Sequence, residues 1–283
     1  MHRNYQMINP KQFACNSLYL NGGMSMSRRY IATLTILTGV ALAQPPKALV
    51  VLNAASGGDT VAPESIASAF GLQIGTSTQS VLTLTLPTSL GGLSVELTDS
   101  AKAKVLGPLF YVSPNQINFV VPGTVATGTA TATIMNGMMT PPSVSVMVAK
   151  VAPGLFTANG AGTGVPAALA IRRAIATQTD TTVPVFTCSA NACVSTPIET
   201  SSDTQVFLAL FGTGIRGRTS LANVTAAIGG QAMVVLFAGA QGQYQGLDQV
   251  NVQLPQTTTV HGEQDLVLTV DGKAANTVRV NMK

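Results

Sequence analysis

Four amides are the side chains whose type and spacing most readily suggest chemistry. Gln116 and Asn118 lie in Gln116-Ile117-Asn118-Phe119-Val120-Val121-Pro122, and Gln249 and Asn251 in Gln249-Val250-Asn251-Val252-Gln253-Leu254-Pro255. A carboxamide donates and accepts, so four of them on strand faces could meet the hydroxyls of a sugar. The same capacity lets an amide satisfy backbone groups of neighbouring loops. Recurrence of the pair in two ribbons favours the structural role, because a repeated scaffold keeps what holds it together.

Other candidates offer less. A glycosidase needs two positioned carboxylates. Glu96 with Asp99 and Glu263 with Asp265 are the candidate pairs, yet they sit at strand ends or turns and nothing marks them as buried. Trp is absent and aromatic residues make up 5%, which leaves few platforms for a sugar ring. A Ser/His/Asp triad would need His261, which lies in the polar stretch 257–264 and reads as a surface residue. Asp59, Asp99, Asp203 and Asp248 are isolated turn residues with no Asp-x-Asp-x-Asp loop, so no metal is expected. Gly212-Thr213-Gly214-Ile215-Arg216-Gly217 follows a strand but precedes no helical pattern, so it reads as a turn and not a phosphate loop. No catalytic residue and no cofactor is expected.

The front of the chain removes two further functions. Arg28 and Arg29 precede an apolar run from Ile31 to Leu42, and Ala41-Leu42-Ala43 has the small-x-small form of a cleavage site. Residues 1–43 therefore read as a leader carrying a secretory signal peptide, cut before Gln44, with translation starting at Met24 or Met26. The apolar run is too short for a stable membrane span. Arg3, Lys11, Arg28 and Arg29 lie ahead of the cut and no acidic residue does, so of 15 basic residues 11 remain against 11 acidic ones. The formal charge of +4 belongs to the leader, and a basic surface for nucleic acid is not expected. Cys15 lies in the leader, while Cys188 and Cys193 are five residues apart and read as a local disulfide in an oxidising compartment. Secretion or attachment to the cell envelope follows.

The remainder must fold as strands. Charged residues are only 9%, the mean hydropathy is +0.35, and Thr, Val, Gly and Ala dominate. In both amide ribbons apolar residues alternate with polar ones, the period of a half-buried strand. Alternation and turn residues predict strands at Lys47–Ala55, Ile66–Gly71, Ser80–Leu86, Leu93–Leu97, Val105–Val112, Gln116–Val121, Gly128–Met135 and Val144–Val148. After the break at Val151-Ala152-Pro153-Gly154, strands are predicted at Ala167–Ala176, Gln205–Phe211, Ala222–Ile228, Ala232–Phe237, Gln249–Leu254, Asp265–Val270 and Thr277–Met282. The polar stretch Thr177–Ser202 reads as a long loop.

The two halves align in order. Ala69-Phe70-Gly71 matches Leu210-Phe211-Gly212, Leu93-Ser94-Val95 matches Asn223-Val224-Thr225, the amide ribbons match, and Asn136-Gly137 matches Asp271-Gly272. An internal duplication is the economical explanation. The ordered motifs Pro108-Leu109-Phe110-Tyr111-Val112-Ser113-Pro114-Asn115-Gln116-Ile117-Asn118-Phe119, Val151-Ala152-Pro153-Gly154-Leu155-Phe156-Thr157, Phe211-Gly212-Thr213-Gly214, Ile228-Gly229-Gly230, Phe237-Ala238-Gly239 and Gln249-Val250-Asn251-Val252-Gln253 resemble the uncharacterised C-terminal domain family of exported acidobacterial proteins, the Solibacter-type domain. The resemblance covers roughly Leu49 to Met282. It implies an exported module and brings no catalytic residues with it.

The expectation is an all-β chain of two tandem Ig-like β-sandwich domains, residues 44–150 and 151–283. Its function would be non-catalytic: cell-surface display, adhesion or protein interaction, with an envelope protein or polysaccharide as partner. A carbohydrate-binding module is the alternative, resting on the amide faces, and a hydrolase comes third.

Overall fold

Side chains that alternate Thr with Ala or Val cannot bury a helical stripe but can bury one face of a strand. Gly128–Met135 sends Ala130, Ala132 and Ile134 into the interior and leaves its threonines outside. The computed structural model describes residues 48–283 except 82, 138–140 and 190–191, and the chain is all-β throughout, with no α-helix among the described residues. The leader, the cut before Gln44, the start at Met24 or Met26 and Cys15 lie outside the described residues.

The first unit contains β1 (Val50–Asn53), β2 (Thr60–Val61), β3 (Ile66–Phe70), β4 (Gln79–Ser80), β5 (Ser94–Thr98), β6 (Lys104–Gly107), β7 (Leu109–Val112), β8 (Gln116–Val120), β9 (Gly128–Met135) and β10 (Ser143–Val148). They form two sheets, ordered β1-β3-β8-β7-β4 and β2-β10-β9-β5-β6. Between them Val51, Ala67, Ala69, Val95, Leu97, Leu109, Ile117, Phe119, Ala132 and Ile134 close one core. Pro108 has no N–H for a ladder, and there the chain leaves one sheet and enters the other, so the stretch expected as one strand is two.

The second unit contains β11 (Gly154–Leu155), β12 (Ala168–Ala174), β13 (Asp180–Pro184), β14 (Phe186–Cys188), β15 (Cys193–Ser195), β16 (Pro197–Ile198), β17 (Thr204–Thr213), β18 (Val224–Ile228), β19 (Gln231–Ala240), β20 (Asp248–Gln253), β21 (Gly262–Val270), β22 (Lys273–Ala274) and β23 (Val278–Met282). The sheet order is β13-β12-β17-β20-β19-β18-β21-β23-β16. Strand β19 pairs β18 through Gln231–Met233 and β20 from Val234 onward, so it carries the sheet around the edge of the sandwich. The enclosed core holds Leu155, Ala170, Leu208, Leu210, Ile228, Val250, Val252, Leu266, Leu268, Val278 and Val280. Burial at about 25 cal/mol per Å² of apolar surface drives both units.

The two Ig-like sandwiches share strand order and direction. Neighbours β1-β3-β8-β7 correspond to β12-β17-β20-β19, and β2-β10-β9-β5-β6 to β16-β23-β21-β18-β19. The parallel pair β2 with β10 recurs as β16 with β23. Phe70 faces Gln116 as Phe211 faces Gln249. Even the irregularity recurs. The register slips between Leu109 and Tyr111 in one unit and between Val235 and Phe237 in the other, placing Tyr111 opposite Asn118 and Phe237 opposite Asn251.

Two segments differ from the sequence reading. Of the described residues in the strand expected at Ser80–Leu86, the start alone meets β7: Ser80 pairs with Tyr111, next to Gln79 with Val112, and the Val81 N–H donates to the Phe110 carbonyl. Leu84 is exposed, and the Thr83 hydroxyl donates to the Thr85 carbonyl, a local bond that competes with a ladder. Conversely, Thr177–Ser202 holds four short strands. Strand β13 extends a sheet beside β12, β16 joins β23, and β14 with β15 forms a hairpin closed by the Cys188–Cys193 disulfide. Val185 and Ile198 anchor this excursion in the core, a contribution that polar composition conceals.

Candidate functional site

The four amides lie on the sheet faces turned away from the cores, because their neighbours Ile117, Phe119, Val250 and Val252 point inward. In each ribbon the Gln donates to the Asn two residues on, one step along the same face. The Gln116 Nε2 to Asn118 Oδ1 distance is 2.9 Å and the Gln249 Nε2 to Asn251 Oδ1 distance is 2.7 Å. The Ser68 hydroxyl also donates to Asn118 Oδ1 at 2.8 Å, and Asn118 is buried. The first pair is therefore a fixed part of the scaffold. Gln249 and Asn251 remain half-buried, and no second donor to the Asn251 carbonyl corresponds to Ser68, whose place on the adjacent strand is taken by Ala209.

What surrounds the second pair makes it the stronger candidate. Register places Leu169, Ala209, Asn251 and Phe237 in one row across β12, β17, β20 and β19, and Ile171, Phe207, Gln253 and Val234 in the next. Val234 is 60% exposed, Leu236 46% and Phe237 38%. The result is an open strip of aromatic and aliphatic side chains with three amides, Gln249, Asn251 and Gln253, down its middle. The Phe237 ring lies beside Gly239, where a Cβ would sit in ordinary contact at 3.5 Å from its Cζ. Such a face offers apolar contact area and amide hydrogen-bonding groups side by side.

The carboxylates considered for hydrolysis are engaged elsewhere. Glu96 pairs with Lys104 at 2.8 Å on the surface, Asp265 pairs with Arg279 at 2.9 Å, and Glu263 accepts from the Ser195 hydroxyl. Asp99 departs from its expected exposure. It is buried and accepts from the backbone N–H groups of Ala126, Ala101 and Ala103, which together hold its carboxyl below the usual carboxylate range, the Ala126 bond contributing most. It organises two turns. His261 is exposed, as expected. Arg172 and Arg173 pair with Glu199 and Asp180. Among the described residues no group of three or more His, Cys, Asp or Glu could hold a metal, and no helix is long and apolar enough to cross a membrane.

One polar centre escaped the sequence reading. Asp248 is not a turn residue but the fully buried start of β20. Its carboxylate accepts from the Ile215 N–H at 2.7 Å, the Arg216 N–H at 3.2 Å and Arg216 Nε at 2.6 Å. Burial pushes its carboxyl up, and the Arg216 guanidinium and the two N–H groups pull it back. Arg216 also reaches Glu64 of the first unit at 3.7 Å. Beside it the Thr213 hydroxyl accepts from the Ile66 N–H of the first unit at 2.8 Å and donates to the Gly246 carbonyl at 2.7 Å. Gly246 holds φ at +76°, and a Cβ on it would come within 2.6 Å of Ile66 Cγ1, so only glycine permits this approach. Asn53 Nδ2 donates to the Ala152 carbonyl at 2.8 Å. These contacts are the seam between the units. The sequence held one clue: an Asx residue, Asn115 or Asp248, precedes the Gln of both ribbons.

No family model matches the chain, and no curated protein does. Among solved structures it is similar to SGBP-B of the mixed-linkage glucan utilization locus of Bacteroides ovatus, in complex with a mixed-linkage heptasaccharide, at 11% identity and a TM-score of 0.31. That match covers 80% of this chain but only 43% of the other. A titin tandem of Ig domains is similar at 8% identity and a TM-score of 0.22, covering 85% of this chain and 98% of that one. Domains 5-6 of the S-layer protein SbsC are similar at 14% identity and a TM-score of 0.24, covering 84% and 97%.

Proposed function

We propose that the chain is an exported, non-catalytic β-sandwich module for cell-surface display, adhesion or protein interaction, and that it works through the outer face of β17, β20 and β19. The observation that carries this reading is the exposed Val234, Leu236 and Phe237 beside Gln249, Asn251 and Gln253. Contiguous apolar side chains left open beside ordered amides are what a docking face requires. The engagement of Glu96, Asp99, Glu263 and Asp265 in structural bonds supports a non-catalytic role. The Cys188–Cys193 bond suits an oxidising, extracytoplasmic compartment. The proposal includes an internal duplication as the origin of the shared topology, and membership in the Solibacter-type family. The test is retention of the protein on cell-envelope fractions, with Phe237→Ala and Asn251→Ala as probes. Loss of retention with unchanged circular dichroism supports the face, and retention equal to wild type refutes it.

A second reading follows from the same strip. Phe237 beside an amide ladder could stack on a sugar ring while the amides meet its hydroxyls. A carbohydrate-binding module would then bind a panel of wall and plant polysaccharides in a Phe237-dependent way. A display or adhesion module would ignore the panel and keep its envelope partner.

A further inference from the structure

We infer that the joint between the two units is not a hinge, and that the chain holds both units as one stiff strut. Relative motion is the ordinary expectation for two sandwiches in one chain, because few contacts cross such a boundary and the connecting residues are free to turn. Here the connecting residues are held. The Ala149 N–H donates to the Val61 carbonyl of the first unit, and the Ala152 N–H donates to the Gly214 carbonyl of the second. The Ala152 carbonyl accepts from Asn53 Nδ2 at 2.8 Å. Between these bonds Val151 is buried in the second core. Pro153 is buried and its ring fixes its own φ. Gly154 and Leu155 then pair with Thr213 and Gly212. Glycines make the fit possible. A Cβ on Gly214 would overlap the Ala152 carbonyl, and one on Gly217 would overlap the Lys150 carbonyl. Residues 150–155 therefore run in close contact against the end of β17 and the turn that follows it.

A fixed connection would still permit rocking if the units touched at one point only. Instead, contacts cross the joint from several separate segments. In the loop after β1, the Ala55 carbonyl oxygen lies 3.2 Å from where a Cβ on Gly162 would sit. At the start of β3, the Ile66 N–H donates to the Thr213 hydroxyl, and just before it Glu64 meets Arg216 at 3.7 Å. Gly246 packs against both Ile66 and Val120, which face each other across β3 and β8. Beyond β4, the Leu84 carbonyl accepts from Gln245 Nε2 at 2.9 Å. Tilting the second unit toward one of these segments opens the contacts at the others. Thr213 and Val120 are buried, so opening also strips a buried hydroxyl of its partners and uncovers apolar surface. Stiffness of this kind does not depend on what the outer face of the second unit binds.

Backbone N–H residual dipolar couplings of the full chain test this, fitted separately to residues 48–148 and 154–283. For wild type both sets are expected to give one alignment tensor, equal in magnitude and direction. Two tensors that differ overturn the inference, and that measurement needs no variant. Gly217→Ala drives a methyl group into the Lys150 carbonyl. It is expected to lift the connection off the end of β17, so that the two tensors separate while each set still fits its own unit. A Gly217→Ala chain that keeps a single tensor overturns the role assigned to the connection. Phe237→Ala, on which the outer-face reading depends, is expected to leave the tensor single even where envelope retention is lost. The two proposals therefore fail separately.

Discussion

Replacing Arg216 by Met should unlock the seam and make stability fall steeply with pH. Asp248 is fully buried, and Arg216 supplies its one charged partner at 2.6 Å. Arg216→Met keeps the backbone bonds from Ile215 and residue 216 but leaves the carboxylate without a countercharge. Removing one member of a buried pair costs about 3–5 kcal/mol where the survivor stays charged. The sign of the pH dependence follows from the direction of the shift. Burial already raises the Asp248 carboxyl above its ordinary value of 3.8. Between 3.8 and the folded value the folded state holds more protons than the unfolded one, so stability falls as pH rises through that window. Without the guanidinium the folded value moves higher and the window widens, at about 1.4 kcal/mol for each unit. The cost of Arg216→Met should therefore be smallest near the acid end and largest at neutral pH. Adding Asp248→Asn removes the buried charge and should recover most of the loss. Urea unfolding followed by circular dichroism at a series of pH values measures this. A pH-independent cost below about 1 kcal/mol would refute the reasoning, because that is what a surface pair gives.

Three further outcomes are expected. Ile117→Asp puts a carboxylate into the first core and should abolish soluble protein, checked by yield in the soluble fraction; wild-type yield would contradict the core assignment. Asp99→Asn should lower the melting temperature at neutral pH, and the gap from wild type should close as pH drops below the ordinary value of 3.8. A lowered folded value contributes stability above that pH and loses it as pH falls through the folded value. Cys188→Ser with Cys193→Ser should cost about 2 kcal/mol, the loop-entropy expectation for so short a ring. Its effect should stay in the second unit, read by hydrogen exchange, while the first unit keeps its protection.

The strands and their inward faces were legible because period-two alternation is carried by individual residues. Ala130, Ala132 and Ile134, or Val250 and Val252, announce their side without help from the rest of the chain. Of the matched motifs, Phe70 with Gln116 and Phe211 with Gln249 stand at equivalent registers, whereas Val95 faces the core and its counterpart Thr225 is exposed. What failed was whatever depended on a distant partner. Ser80–Leu86 alternates cleanly, yet a strand needs a neighbour as well as a pattern, and only its start meets β7. Thr177–Ser202 lacks the pattern but has neighbours, so it pairs. Asp248 looked like a turn residue because Arg216, 32 positions away, is what makes its burial tolerable. Asp99 gave no sign of burial because its donors are backbone N–H groups, which every sequence has. The two amide pairs look alike in sequence and differ in setting, since Ser68 lies with one of them, and exposed Val234 and Phe237 with the other.

The most direct test of surface recognition is a binding comparison between wild type and Phe237→Asp on isolated envelope fractions and on the polysaccharide panel. Saturable wild-type binding, lost in the variant while the melting temperature is unchanged, is the predicted result. Equal binding by both proteins would contradict it and move function away from this sheet.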